Sequence, residues 1–327
     1  MKAVLITRAG GPEVLEIADV PRPLPREGEV LVRVHATALN RADILQREGR
    51  YPPPPGAPAN IPGLEFAGEV VEAGGGVQRW KPGDRVFGVI GGGGHAEFVV
   101  AREMEVARVP DKLTWEQAGA VPEVFITAHD ALVTLAHFRA GESALIHAVG
   151  SGVGLAAVQL VRSLGGVAYG TARTPDKIAR AKELGLRDGA VITDATAVTE
   201  HARRWTDGRG VDVVLDLVGG SYFQPSLEAT ATLGRVILIG LLAGRTANVS
   251  LGTILSKRIM VRGTTLRSRG PVEKAAATQA FAHDVLPLLE RGEVKPVIDC
   301  VYRFDQVREA HQRMESNASF GKIVLTL

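Results

Sequence analysis

The sequence predicts an α/β protein in which a doubly wound parallel sheet is inserted into a discontinuous β-rich domain. From about Glu123 onward, apolar strands alternate with helices, and the stretch 143–177 combines strand, glycine turn, helix, strand and two bases. Before it, residues alternate between apolar and polar at a period of two, punctuated by glycine and proline. After it, two helical segments and a last strand find no place in the parallel sheet. The boundaries that follow are 1–122 for the first part of the β-rich domain, 123–266 for the inserted domain and 267–327 for the return.

Taken in order, Glu29–His35 alternates clearly, as do the regions Glu65–Val71 and His95–Val100. A short helix is predicted from Asn40 to about Glu48. The run Pro52-Pro53-Pro54-Pro55 must be extended and makes a stiff loop, and Gly91–Gly94 make a flexible turn. Six parallel strands are predicted at 143–149, 166–172, 189–193, 211–217, 234–240 and 258–264, built as two mononucleotide halves. Helices at about Pro271–Arg291 and Phe304–Glu315, and a strand Lys322–Leu327, return to the first domain.

Bulk properties exclude several classes. With 327 residues there is room for two cores, and 23% charged with 45% hydrophobic residues is ordinary for a soluble globular chain. A net charge of +2 is too small to argue for nucleic acid or an anionic membrane. No apolar run approaches the ~20 residues of a spanning helix. The start, Met1-Lys2-Ala3-Val4-Leu5, lacks a signal-peptide pattern, so a cytoplasmic location is expected. The single cysteine, Cys300, excludes an intrachain disulfide and a multi-cysteine zinc site. The eight histidines show no spacing that marks a base or ligand, so no metal site is expected.

The glycine turn carries the chemistry. Ser151, Gly152, Val153 and Gly154 sit where a strand gives way to a helix, and their backbone suits a pyrophosphate, which free N–H groups and the helix dipole favour. An NAD site would want an acid at the end of the second strand. Arg173 and Lys177 stand near that point instead, with Thr174 and Pro175 opening the next helix. Lys177 lies in a first turn, where the dipole disfavours a cation unless an anion is close. A 2′-phosphate is such an anion, so the cofactor reads as NADPH. Solvated surface charge is the plainer reading of both bases.

Lys81-Pro82-Gly83-Asp84-Arg85-Val86 and Gly63-Leu64-Glu65-Phe66-Ala67-Gly68-Glu69-Val70 resemble motifs of the medium-chain dehydrogenase/reductase superfamily. Ala38 to Arg47, running on to Tyr51-Pro52-Pro53-Pro54-Pro55-Gly56, is similar to the zinc-independent, zeta-crystallin-like NAD(P)H:quinone oxidoreductases, with the stress-inducible branch nearest. The resemblance extends through Thr265–Arg269 to Gly321–Val324. It implies a GroES-like catalytic domain, a Rossmann domain for NADPH in the cleft beside it, and direct hydride transfer to a quinone without metal. By the same resemblance Asn40 and Leu64 stand where zinc alcohol dehydrogenases place a cysteine and a histidine ligand. Val149 and Thr193 depart from the small residue and the tyrosine that relatives often carry.

The resemblance also assigns further residues, each with a plainer reading beside it. Asn40 would bond the nicotinamide ribose region or substrate, or simply cap its helix; Asp43 reads as structural. Tyr51 is the candidate to touch the quinone, or else packs on the proline loop. Thr127 would pack on the nicotinamide ring, or bond its own helix backbone. Gly240, Leu241, Leu266, Arg267 and Ser268 resemble the segments that close around the nicotinamide half. Asn317 and Lys322 resemble a pair that reaches back to the cofactor, though Lys322 also reads as ordinary surface charge. Asp216 reads as a turn former.

The function expected is NADPH-dependent quinone reduction. One alternative is an NADPH-dependent enone or enoyl-thioester reductase. Another is an NADPH-sensing RNA-binding protein with little turnover, against which the near-neutral charge and the lack of a basic–aromatic platform both argue. The sixth strand, Arg258–Thr264, lies at a sheet edge that invites pairing with its copy, so a homodimer is expected.

Overall fold

The computed structural model describes residues 1–327. The chain forms two units: Met1–Ile126 together with Leu266–Leu327, and Thr127–Thr265.

The second unit is built on six parallel strands: Ser143–Ile146, Val167–Ala172, Leu186–Val191, Val211–Asp216, Thr230–Leu238 and Met260–Gly263. Counted along the chain, they lie in the order 3-2-1-4-5-6. That is the doubly wound arrangement the βα alternation predicts, and the order reverses at the first strand, where a ligand site is expected. Leu145, Val214, Val236 and Leu227 pack its core with Val198 and Ala202. Leu145, Val214 and Val236 come from central strands covered on both faces, which is why those strands read as continuous apolar runs.

Three of these strands differ from expectation at their starts. The fifth, expected from 234, begins at Thr230, which pairs with Val211 of the fourth strand. The sixth begins at Met260, because a helix Leu251–Lys257 ends with Arg258 in the left-handed conformation (φ 54°) and takes up the first residues. The third begins at Leu186, earlier than its most apolar stretch, because Leu186 pairs with Ala168 of the neighbouring strand.

In the first unit, a seven-stranded sheet centres on Glu29–Ala38, which pairs antiparallel with Glu65–Ala73, Phe98–Arg102 and Lys322–Thr326. The last strand thus enters the same sheet as residues from the chain start, with Val324 opposite Ala38. The predicted helix 271–291 is two helices, Pro271–Asp284 and Leu286–Arg291. Pro287 explains the break, since it has no N–H to give and its ring crowds the preceding turn. The short helix Arg41–Arg47 begins after Asn40, whose extended backbone (φ −127°, ψ 153°) serves as its N-cap position.

Candidate functional site

In the second unit the turn after Ser143–Ile146 opens a twelve-residue helix, Gly152–Ser163. Ser151 is its N-cap, and its Oγ accepts the Gly154 N–H at 3.1 Å. The amides of Gly152 and Val153, half-exposed in the first turn, have no internal acceptor there. Gly154 has a different task. A Cβ on it would stand 2.7 Å from the Val149 carbonyl oxygen and 2.8 Å from that of Ala148, so only glycine lets helix and strand approach this closely. Val149, larger than expected at this point, is fully buried and lies against Gly170.

The two bases differ in setting. Arg173 is exposed beyond the second strand. Its charge reaches the Tyr222 phenol and opposes the upward push that burial gives that group. Lys177 folds over the glycine turn: a Cβ at Gly150 would meet its Cδ at 2.9 Å and its Cγ at 3.2 Å. Thr174 is the N-cap of the helix Pro175–Lys182, with Pro175 in its first turn. These residues fit an anionic dinucleotide: a cradle without side chains, unused helix amides and two bases beside it. Gly240 approaches the Leu217 carbonyl too closely for a side chain, and Leu241 is exposed. Asp216 turns the chain, its Oδ1 accepting the N–H groups of Val218 and Gly219 at 2.9 and 2.8 Å. Thr127 is nearly buried.

The first unit brings together a second group. Lys322 is 3% exposed, and its ammonium donates to the Leu39 carbonyl at 2.8 Å and to Asn40 Oδ1 and Glu65 Oε1, each at 2.7 Å. Three donors meet three acceptors, which leaves no N–H for a phosphate. An ammonium cannot accept, so the Asn40 amide must turn its oxygen to Lys322 and its nitrogen to Glu65 Oε1, at 2.8 Å. Asp43 Oδ2 accepts the Asn40 backbone N–H at 2.7 Å, and Asp43 Oδ1 accepts that of Gly63 at 2.9 Å. Asn40 is therefore both the start of its helix and one corner of a buried ionic cluster.

Arg267, expected near the cofactor, is 4% exposed and directs its guanidinium elsewhere. It donates to the Gly91 carbonyl at 2.8 Å, the Tyr51 carbonyl at 3.1 Å and Gln46 Oε1 at 2.5 Å. It also lies over the Tyr51 ring, 4.9 Å from the centroid. Burial raises the Tyr51 phenol above its ordinary value. Leu266 is buried and Ser268 exposed. Asn317, left-handed at φ 57°, accepts from Arg41 at 2.7 Å.

A family model described as the alcohol dehydrogenase GroES-like domain matches residues 26–111, and one described as zinc-binding dehydrogenase matches 188–325. Human quinone oxidoreductase is 32% identical over 333 residues, aligning 100% of this chain with 98% of that protein. The quinone oxidoreductase of Pseudomonas aeruginosa is 33% identical, with 99% of each covered. The chain belongs to the zeta-crystallin-like quinone oxidoreductase family of medium-chain dehydrogenases/reductases. A solved quinone oxidoreductase of Pseudomonas syringae matches with a TM-score of 0.86 at 30% identity, covering 100% of this chain and 99% of that one. A mycobacterial protein solved with NADPH matches at 0.89 and 28%, covering 100% of both.

The zinc implied by one family description does not fit the residues present. At the position of the first ligand, Asn40 offers an amide oxygen already bonded to an ammonium, and Leu64 offers nothing. A cation placed there would face the Lys322 charge directly. No group of three or more His, Cys, Asp or Glu side chains is arranged to hold a metal. No helix is long and apolar enough to cross a membrane.

Sequence reasoning missed Glu65 and Glu123. Glu65 looks like the polar start of a strand, yet it is fully buried and ties Asn40, Lys322 and the Glu123 N–H together. Glu123 looks like a dipole partner in the first turn of the helix Pro122–His129. The motif Gly63-Leu64-Glu65 was the available signal, since an acid inside an otherwise apolar run needs a buried partner.

Proposed function

We propose that this protein is a zinc-independent, cytoplasmic NADPH:quinone oxidoreductase that passes a hydride directly to a quinone. The observation that carries the reading is the Lys322 ammonium bonded to Asn40, which fixes an organic cation against the residue that stands where zinc relatives place a metal ligand. Without a Lewis acid, a simple ketone loses its main source of alkoxide stabilisation, whereas a quinone spreads the incoming charge through its ring. Full-length similarity to quinone oxidoreductases supports the same substrate class.

Bound NADPH supplies the hydride. The amides of Gly152 and Val153 would hold its pyrophosphate, while the Ser151 and Gly154 N–H groups, bonded to the Ala148 carbonyl and to Ser151 Oγ, shape the turn instead; Arg173 with Lys177 would hold its 2′-phosphate. Thr127, Gly240 and Leu241 would face its nicotinamide half. Asn40 is a catalytic candidate whose amide is oriented by Glu65 and Lys322. Tyr51 would meet the quinone oxygen, held in place by Arg267. Positioning alone is worth roughly 7–11 kcal/mol at its ideal limit, so the protein needs no covalent intermediate.

Initial rates with quinones, enones, enals and enoyl thioesters, each with NADPH and with NADH, test this reading. Quinones with NADPH should lead. Enoyl thioesters well ahead of quinones would replace the substrate class, and equal use of NADH would remove the role of the two bases. The exposed edge strand Met260–Gly263, with Leu251 and Leu255 exposed on the preceding helix, supports a homodimer. A monomer by light scattering at working concentration would refute that part.

A further inference from the structure

We propose that Glu123 is a catalytic residue: its carboxylic acid donates the proton that completes reduction of the substrate oxygen. This rests on the quinone-reductase reading above and names the proton source that reading lacks.

Three carboxyl groups lie together in the first unit, and only two of them have partners. Asp43 is sealed from solvent, with one oxygen on the Gly63 N–H and the other on the Asn40 N–H. Glu65 is sealed as well, its Oε1 on Lys322 and Asn40 and its Oε2 on the Glu123 N–H at 2.8 Å. Glu123 is half-buried, and its carboxyl makes no hydrogen bond or ion pair. The N–H groups of Asn40, Gly63 and Glu123 and the Lys322 ammonium are spent on the other two acids. A third negative charge would be only partly hydrated and would lie beside two existing ones.

The charged groups facing Glu123 are Glu65, Asp43, Lys322 and Lys274. Burial and the Glu65 charge raise its carboxyl, Lys322 and Lys274 pull it back, and the outcome is a value of about 8. Its proton therefore stays on through neutral pH, where an acid of this strength is well matched to general-acid work. Tyr51 lies within the electrostatic reach of both Glu123 and Arg267, and its phenol is raised by burial. Tyr51 thus suits hydrogen bonding or relay, while Glu123 is the group with a proton to release.

The step balances simply. Addition of the hydride, with its electron pair, to the quinone leaves a hydroquinone monoanion. The O–H bond of Glu123 breaks, directly or through the Tyr51 hydroxyl, and a new O–H bond forms on the substrate oxygen. The carboxylate left on Glu123 takes its next proton from solvent.

The test compares wild type with Glu123→Gln and Glu123→Asp by infrared difference spectroscopy, NADPH binding, and pH profiles of quinone turnover. A carboxylic acid band should be present at neutral pH in the wild type, absent in Glu123→Gln, and titrate near pH 8. Glu123→Gln should lower quinone turnover by about 100-fold or more. It should also lose the wild-type fall in rate on the basic side, with NADPH affinity unchanged, and Glu123→Asp should recover part of the rate. A missing band, or a Gln variant with wild-type rate and pH profile, overturns the proposal while leaving quinone reduction standing. A wild type that shows the band and binds NADPH but reduces no quinone overturns both the substrate reading and this role. If the Gln variant does not fold, the wild-type band and the Asp variant still decide.

Discussion

Arg267 caps the ring of Tyr51, with its guanidinium carbon 4.9 Å from the ring centroid, and also donates to the Tyr51 carbonyl at 3.1 Å. One side chain therefore fixes both the backbone and the ring of the residue proposed to meet substrate. Gln46 and Gly91 complete its fork.

A lysine in its place keeps the charge and loses the planar fork. Arg267→Lys should raise the quinone KM by about tenfold and leave NADPH affinity unchanged, because it acts through Tyr51; the size follows from losing charged hydrogen bonds of ~1.5 kcal/mol or more. A fall in NADPH affinity with unchanged quinone KM would return Arg267 to the cofactor.

Lys322 and Glu65 are both buried, and their contact is 2.7 Å. Removing one partner strands the other charge, at a cost of about 3–5 kcal/mol. Lys322→Met should lose that much stability in denaturant titrations. Adding Glu65→Gln should restore most of it, since the stranded charge is then gone. Equal losses in the single and double variants would contradict the coupling.

Lys177→Ala and Arg173→Ala should each weaken NADPH binding by tenfold or more and leave NADH binding alone, since a charge-assisted bond to phosphate is worth about 1.5–3 kcal/mol. Parallel loss of both dinucleotides would place these bases on the shared pyrophosphate instead.

Stability should fall on the acid side through buried imidazoles. His147 bonds Thr171 and Ser226 hydroxyls at 2.9 Å, and burial lowers its pKa from the ordinary 6.5. His311 is lowered further by burial, with the His95 ring and the Arg47 charge adding to it. Below about pH 6.5 the unfolded chain takes up protons that the native state refuses, so stability drops as pH falls. Glu123 has the opposite sign: its raised folded value removes stability as pH rises from 4.5 towards about 8. Denaturant titrations across this range should show both slopes, and Glu123→Gln should flatten only the second. An unchanged second slope would contradict the Glu123 assignment.

Much of the frame was legible in the chain because it depends on local pattern. The βα alternation indicated a doubly wound sheet of six parallel strands, and the glycines at 150–154 marked the turn, since backbone must pass backbone there. Pro175 and Thr174 marked the start of a helix. Residue type at 173 and 177 raised the expectation of a phosphate partner, which the comparison of NADPH and NADH binding tests. Helix ends were less legible: Pro287 divides one predicted helix into two, and Arg258 takes up the start of an expected strand.

The ionic cluster was beyond local reading. Asn40, Glu65, Glu123 and Lys322 lie on four separate elements spread across the chain, and the sequence assigned the first and last to the cofactor. Arg267 and Tyr51 are likewise far apart in sequence.

What the sequence determined by itself is the scaffold and the glycine turn that opens the helix Gly152–Ser163, because periodicity and turn chemistry act between near neighbours. Only the tertiary structure decided which charges are spent on one another and which acid remains unpaired. That outcome depends on burial and on a small number of donors shared among residues that the fold alone brings within hydrogen-bond distance.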